Sequence, residues 1–371
     1  KKSWWGTDEP PEDTTVVRCV PHGRGQWSVR VSDAVGIVAI PSLQIVIEPK
    51  IPISHLLYLF AASGAFPRLD NQRVKASLGR SLFELVAEWY IAAMELVLRQ
   101  GLIRDYHDLT NVTPFIRGRL DVPNAGRAYY AGRTDFLCHF EEFGFDTPLN
   151  RVLKAASRAV LGSQLLKPDL RRRAAGIVAR LEDVGDLQTS DLRVRVERKT
   201  QHYSEPHLLA LHVIRTLGRW LGHGAAGSRA FLIRTPEMIE EGLRKLLSER
   251  CQGWTIRKGQ LALGSTSMTL NPDIIVDNGI AVADVKYKLA GSEWKRSDLY
   301  QVVTFAAGYR APFAAIVDFR PPEVSPLPLV PVGDTSVIQL SWIADRSLEP
   351  DAVASTLAAT FSDWLASVRA A

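Results

Sequence analysis

The sequence predicts an α+β chain of several domains: an N-terminal β-rich module, a mainly helical middle region and a C-terminal α/β domain. Three observations carry that reading. The chain has 371 residues, more than one hydrophobic core usually serves. Short apolar alternations broken by Gly and Pro fill Val16 to Ile53, the pattern of small strands. From about Ala230 a helix, hairpin strands, a second helix and further strands follow one another. The expected boundaries are 16–75, 76–228 and 229–371.

Taken in order, residues 1–14 are acidic and Pro-rich and read as a frayed terminus; Trp4 and Trp5 fit that end or a partner contact equally. Strands are expected in VVRCV, WSVRVSD, VGIVAI and LQIVIEPKI. Ser54–Phe66 is apolar at helical spacing. A longer helix is expected at Leu78–Gln100, with Leu82, Leu85, Val86, Trp89, Ala93, Leu96 and Val97 on its buried stripe and Gly101 as its stop. The stretch IRDYHDLTNVTPFIRGRLDV is too polar for a core strand. Helices follow at Thr147–Leu161, Pro168–Leu181 and Pro206–Leu221, with a strand-like DLRVRVERKT between the last two. The C-terminal region reads as a helix (Met238–Glu249), strands in TIRKGQLAL, MTLNPDIIVD and GIAVADVKYK, a helix (Ser297–Gly308), a strand in AAIVDF, a Pro-rich loop at 320–331, a strand (Val337–Trp342) and a closing helix (Asp351–Val368).

Composition narrows the function classes. The chain is 46% hydrophobic and 23% charged, ordinary for a soluble protein. No apolar run approaches the roughly 20 residues of a membrane span, and the N-terminus lacks the apolar core of a signal peptide. Cys19, Cys138 and Cys251 form neither a disulfide framework nor a zinc pair. A cytoplasmic protein without a membrane partner is expected. The net charge of +5 permits nucleic-acid binding without demanding it.

The chemistry concentrates between Asn271 and Lys288. Asp277-Asn278-Gly279 separates two apolar runs, and Asn-Gly readily takes the positive φ angles of a type I′ hairpin turn. Pairing about that turn brings Asp273 close to Asp284 and Lys286, and period-two alternation puts Asp284 and Lys286 on one strand face. Two converging carboxylates repel unless a cation lies between them, and hard oxygen ligands suit Mg²⁺, with Mn²⁺ an alternative. Such an ion polarises a phosphodiester and activates water, while a neighbouring lysine stabilises developing charge. That set resembles the constellation of PD-(D/E)XK nucleases, and on that resemblance Asp273 and Asp284 are expected as metal ligands and Lys286 as the catalytic lysine. Glu240 or Glu241 on the preceding helix is a candidate third carboxylate. Gln301 stands one turn before Phe305 on the following helix.

Other triplets of the same form are less apt. Glu48-Pro-Lys50 has Pro at its centre, Glu197-Arg-Lys199 lacks a hairpin partner, and Glu293-Trp-Lys295 falls in polar sequence. His202, His207, His212 and His223 do not have metal-ligand spacing on one helical face. Arg171-Arg-Arg173 and the Arg193, Arg195, Arg198, Lys199 run are solvated faces or phosphate contacts.

On Pro272-Asp273, Asp284-Val-Lys286-Tyr-Lys288 and Asp298-x-Tyr-Gln301, the chain resembles the McrC family, the nuclease subunit of McrBC-type modified-DNA restriction systems. Ile239-Glu240 stands where the family usually has Phe-Glu. Further matches are the Ile45–Ile51 strand ending in Glu-Pro-Lys-Ile, Gly101-Leu-x-Arg-x-Tyr106, Arg117-Gly-Arg119 and Asp146-x-x-x-Asn150-Arg151. The resemblance implies Asp273, Asp284, Lys286, Glu240 and Gln301 as site residues. It also implies DNA, methylated or otherwise modified, as substrate, and an N-terminal region docked on a ring-forming AAA+ GTPase or ATPase whose translocation drives cleavage. No GxxxxGK[ST] loop, GxSxG elbow or HExxH helix occurs, so a motor would be a separate chain. The alternatives are an adaptor that binds and stimulates the NTPase ring, and a stand-alone repair nuclease that would leave the N-terminal two-thirds without a use.

Overall fold

The computed structural model describes residues 17–23, 26–31, 33–40, 43–67, 81–217, 229–264 and 266–370. The N-terminal tail with Trp4 and Trp5, the expected helix start at Leu78, the helix end at Leu221 and His223 lie outside them. The first strands are β1 (Val17–Gly23), β2 (Gln26–Val31), β3 (Ala34–Ile40) and β4 (Leu43–Ile47), followed by α1 (Ile53–Ser63) and α2 (Leu82–Gln100). Next come β5 (Asp105–Thr113), β6 (Arg119–Leu120), α3 (Val122–Tyr130), β7 (Phe136–Gly144), α4 (Pro148–Gly162), α5 (Pro168–Ala179) and α6 (Ser204–Leu217). The remainder holds β8 (Arg229–Arg234), α7 (Pro236–Arg250), β9 (Ile256–Arg257), β10 (Leu261–Ala262), β11 (Thr269–Leu270), β12 (Ile274–Val276) and β13 (Ala281–Leu289). It ends with α8 (Arg296–Tyr309), β14 (Phe313–Arg320), β15 (Val330–Val332), β16 (Thr335–Ile343) and α9 (Pro350–Ala370).

The chain divides into two compact units: residues 1–38, 42–82 and 231–371 form one, and 39–41 and 83–230 the other. No helix among the described residues is long and apolar enough to cross a membrane.

The first unit is built on a six-stranded mixed sheet in the order β15-β16-β14-β13-β12-β9. β13, β14 and β16 are parallel neighbours, and β12 pairs antiparallel with β13. β13 is buried from Ala281 to Val285, as a central strand covered on both faces requires. α8 packs Val302, Phe305 and Ala306 against Val282, Ile316 and Val337. β4, β3 and β8 make a separate three-stranded sheet. His55 on α1 is fully buried, accepting from Trp342 Nε1 on Nδ1 at 2.8 Å and donating from Nε2 to the Leu348 carbonyl at 3.0 Å. Both ring nitrogens are therefore used by the neutral imidazole.

The second unit pairs helices with a three-stranded antiparallel sheet in the order β5-β7-β6. The polar stretch after Gly101 is thus a nine-residue strand, but a largely exposed one. Asn150 and Arg151 form the keystone of this unit. Asn150 Nδ2 donates to the carbonyls of Ile103 and Phe145, and its Oδ1 accepts from Tyr203. Arg151 makes two 2.9 Å hydrogen bonds to buried Asp191.

Two expectations are corrected. DLRVRVERKT is not a strand: 3₁₀ turns at Thr189–Arg193 and Arg198–Tyr203 take up its two ends, because Asp191 accepts from the Gln188 N–H and holds Arg151, curling the backbone. Leu96 is not on the buried stripe of α2; it is 46% exposed, whereas Ala93 and Val97 beside it are buried.

Candidate active site

The hairpin of β12 and β13 places the acids. Ile274 pairs with Ala283 and Val276 with Ala281, so continuing the register sets Asp273 opposite Asp284. The turn is a four-residue loop, 277–280, rather than a two-residue type I′ turn. Positive φ falls on Asp277 (47°) and Gly279 (95°), not on Asn278. The reason is local: Asp277 Oδ1 accepts from the Thr255 N–H and its own N–H donates back to the Thr255 carbonyl, pinning the start of the turn.

Asp273 and Asp284 are both buried, 7% and 3% exposed. Asp273 Oδ2 accepts from the Val285 N–H at 2.8 Å, and the Asp273 charge bears on Asp284. Burial pushes the pKa of each up to about 6; the Glu240 charge adds to this for Asp273, whereas Lys286 opposes it for Asp284. Glu240, from α7, faces Asp273, and burial raises its pKa as well. Its neighbour Glu241 is otherwise engaged, paired with Arg244 and with Lys245. Of the two glutamates, Glu240 is the one the fold turns toward the site.

Lys286 lies on the α8 face of β13. Its ammonium pairs with Asp284 and donates to Gln301 Oε1 at 2.7 Å. Asp273, Asp284, Lys286, Glu240 and Gln301 are therefore brought together from α7, the hairpin and α8. Phe305, one turn beyond Gln301, belongs to the core instead.

Two cations were not legible in the sequence. Lys258 follows the short strand β9, and its charge acts on both Glu240 and Asp273. Arg244 donates to the Asp273 carbonyl at 3.0 Å. Neither belongs to a motif; only the return of β9 alongside β12 brings Lys258 near. Gly259 allows this return, since its N–H donates to the Pro272 carbonyl and a Cβ there would overlap the Pro272 ring. The Arg run on α5 is partly structural: Arg173 makes two 2.8 Å bonds to Glu95. Arg193, Arg195, Arg198 and Lys199 are exposed.

The donor set suits a hard divalent cation. Asp284 Oδ2 is buried, and its partner is the Lys286 ammonium. Two neighbouring buried carboxyls, each with its pKa raised by burial, are what an oxygen-seeking ion would complete. The acids do not close into a ready cage, and no group of three His, Cys, Asp or Glu ligands does so among the described residues.

The family model of the McrBC 5-methylcytosine restriction system component matches residues 29–317, well over half of the chain. The chain belongs to this family. A curated family relative, the type IV methyl-directed restriction enzyme EcoKMcrBC of Escherichia coli, is 22% identical over 141 residues, 38% of this chain. The match spans only 40% of that relative's length. In fold, the McrBC-family chain is similar to a chain in a half-complex of Thermococcus gammatolerans McrB AAA+ hexamers with bound McrC. That likeness has a TM-score of 0.63 at 15% identity and covers 93% of this chain and 86% of the other.

Proposed function

We propose that this chain is the endonuclease subunit of an McrBC-type restriction system, hydrolysing phosphodiester bonds in methylated or otherwise modified DNA in the cytoplasm with Mg²⁺ or Mn²⁺. The observation that carries this reading is the convergence of Asp273, Asp284 and Lys286 on one hairpin, with Glu240 and Gln301 supplied by the flanking helices. The order of helix, antiparallel hairpin, helix and parallel strand around that site supports a PD-(D/E)XK domain.

Asp273 and Asp284 would hold the ion, with Glu240 as an outer ligand. When bound, the ion polarises the phosphodiester and makes a water nucleophilic at neutral pH. The chain's own contribution is placement and charge. Gln301 accepts from the Lys286 ammonium and holds it beside Asp284, aimed where a phosphoryl oxygen would gather negative charge. Burial of the two aspartates removes competing water, which strengthens both interactions.

The partner reading follows the same logic. The related structure holds McrC against McrB AAA+ hexamers, and we extend that arrangement to this chain, with DNA fed by the motor. In the second unit Tyr106, Phe115, Ile116, Tyr129, Tyr130 and Phe143 are all more than half exposed. Tyr106 and Phe143 are a cross-strand pair with ring centroids 5.1 Å apart. Apolar surface on this scale marks a protein contact, and the motor is the partner proposed for it.

The test is reconstitution with an AAA+ partner and modified DNA. Wild-type chain should cleave in Mg²⁺, while Lys286→Ala should bind the partner and stimulate its NTP hydrolysis without cutting. Cleavage by Lys286→Ala at the wild-type rate would remove Lys286 from the mechanism. Stimulation without cleavage by the wild type would leave the adaptor reading standing.

A further inference from the structure

Ladder pairing between β13 and β14 is interrupted at the lysine. Val285 pairs with Val317 and Leu289 with Phe319, so three residues, Lys286, Tyr287 and Lys288, stand opposite the single residue Asp318. Pairing then resumes, with the Ala290 N–H donating to the Phe319 carbonyl at 2.7 Å. A bulge of this kind re-aims side chains and is frequent beside active sites. A bulged segment has lost its ladder bonds, however, and something else must hold it.

Lys50 does so. It lies in the Glu48-Pro49-Lys50-Ile51 segment after β4, far away in sequence, and Ile51 anchors that segment in the core at 4% exposure. The Lys50 N–H donates to Tyr287 Oη at 3.1 Å, and its ammonium donates to the Tyr287 carbonyl at 2.9 Å. The ammonium also lies 5.0 Å from the Tyr287 ring centroid, within cation–π range. The Tyr287 ring is seated edge-to-face on Phe319 at 5.6 Å. On the opposite strand face, Lys286 meets Asp284 and Gln301, and Lys288 pairs with Asp298 at the start of α8. The middle residue of the bulge is thus clamped from one side and its two lysines are fixed from the other.

We propose that Lys50 is a positioning residue for Lys286: its clamp on Tyr287 sets the bulge that aims the Lys286 ammonium between Asp284 and Gln301. Its relevance to cleavage rests on the proposed nuclease function; the geometric claim does not. A misplacement of about 1 Å can cost on the order of a hundredfold in rate, so loss of an exposed clamp should cost about tenfold.

The experiment has two readouts on the full chain. In metal-free protein, acylation of individual lysines is followed by mass spectrometry. Lys50→Ala should raise labelling of Lys286 severalfold, while Lys50→Arg, which can still donate to the Tyr287 carbonyl, stays near wild type. Lys245, bonded to the Ser63 carbonyl in the same unit, reports general loosening. If its labelling also rises, Tyr287→Phe decides the matter, because it keeps the ring on Phe319 and removes only the hydroxyl acceptor. It should expose Lys286 in the same direction by a smaller factor. Unchanged Lys286 labelling in Lys50→Ala, or in Tyr287→Phe where that variant decides, overturns the proposal. With the AAA+ partner and modified DNA, Lys50→Ala should lower the maximal cleavage rate about tenfold at unchanged KM. A raised KM at an unchanged rate would make Lys50 a DNA contact and overturn it too. Absence of cleavage by the wild type would count against the nuclease reading alone, with the labelling result still deciding the clamp.

Discussion

Asp284→Asn should destroy cleavage yet stabilise the metal-free protein at neutral pH. The Asp284 pKa rises from 3.8 to about 6, chiefly through burial, and Asp273 beside it rises similarly. A shift of that size corresponds to about 3 kcal/mol at about 1.4 kcal/mol per unit. The sign is that of a carboxyl group holding its proton more tightly when folded. Its contribution is fully present below 3.8 and is lost as pH rises through about 6, so at pH 7 the ionised pair opposes folding. Asn removes that opposition; the attraction of Lys286 is already contained in the raised value, so about 3 kcal/mol is the upper bound, and relaxation around a buried charge brings the expected gain to roughly 1–2 kcal/mol. The assay is denaturant unfolding of the first unit in chelator at pH 5 and pH 7. The variant should be the more stable at pH 7, and its advantage should shrink at pH 5, where the wild type has taken up protons. Added Mg²⁺ or Mn²⁺ should stabilise the wild type and leave the variant largely unmoved. A variant less stable than wild type at pH 7, with no change in the gap between the two pH values, would refute the reasoning.

Four further substitutions separate the elements of the site from those of the core. Gly259→Ala should destabilise the first unit by roughly 1–3 kcal/mol through overpacking against Pro272 and weaken divalent-ion binding, read by calorimetric titration; unchanged affinity would mean that Asp273 does not depend on this contact. Glu240→Gln should lower cleavage at least tenfold, whereas Glu241→Gln, on the adjacent residue, should leave the rate within about twofold and reduce only thermal stability. His55→Ala strands the Trp342 N–H and the Leu348 carbonyl, costing roughly 2–4 kcal/mol. Burial holds the His55 pKa below 6.5. Its contribution is therefore present above 6.5 and lost as pH falls through the lower folded value, so the variant's deficit should narrow in acid.

What could be read in the sequence was what local chemistry decides. The Asp-Asn-Gly signal between apolar runs marked a hairpin, and period-two alternation then aligned Asp284 with Lys286. The turn type could not be read, because a bond from Thr255 to Asp277 moved the positive φ one residue earlier. The Val–Arg alternation of DLRVRVERKT looked like a strand, but the ion pair from Asp191 to Arg151 overrode a propensity that is weak to begin with. Leu96 fell on the outer edge of an apolar stripe wider than the buried face. Lys50, Lys258 and Arg244 reach the site only through tertiary contacts, which no spacing in the sequence encodes. Glu48-Pro-Lys50 was set aside as a catalytic triplet, yet its lysine touches the strand that carries Asp284 and Lys286.

Glu240 and Glu241 show how the helix itself makes the choice that the sequence left open. Adjacent helical residues point about 100° apart, so one face of α7 cannot present both acids to the hairpin. The positions of Arg244 and Lys245 settle the assignment, because they lie three and four residues beyond Glu241 and pair with it. Arg244 lies four residues beyond Glu240 as well, and its charge acts on it, but its second hydrogen bond goes to the Asp273 carbonyl and ties the helix to the hairpin. The acid that α7 presents to the two buried aspartates is thus Glu240, on which the Lys258 charge also acts, and there three acids oppose one another. Folding would not tolerate that repulsion without a return in binding. In the proposed reading a divalent cation would supply that return, and the same repulsion would become affinity.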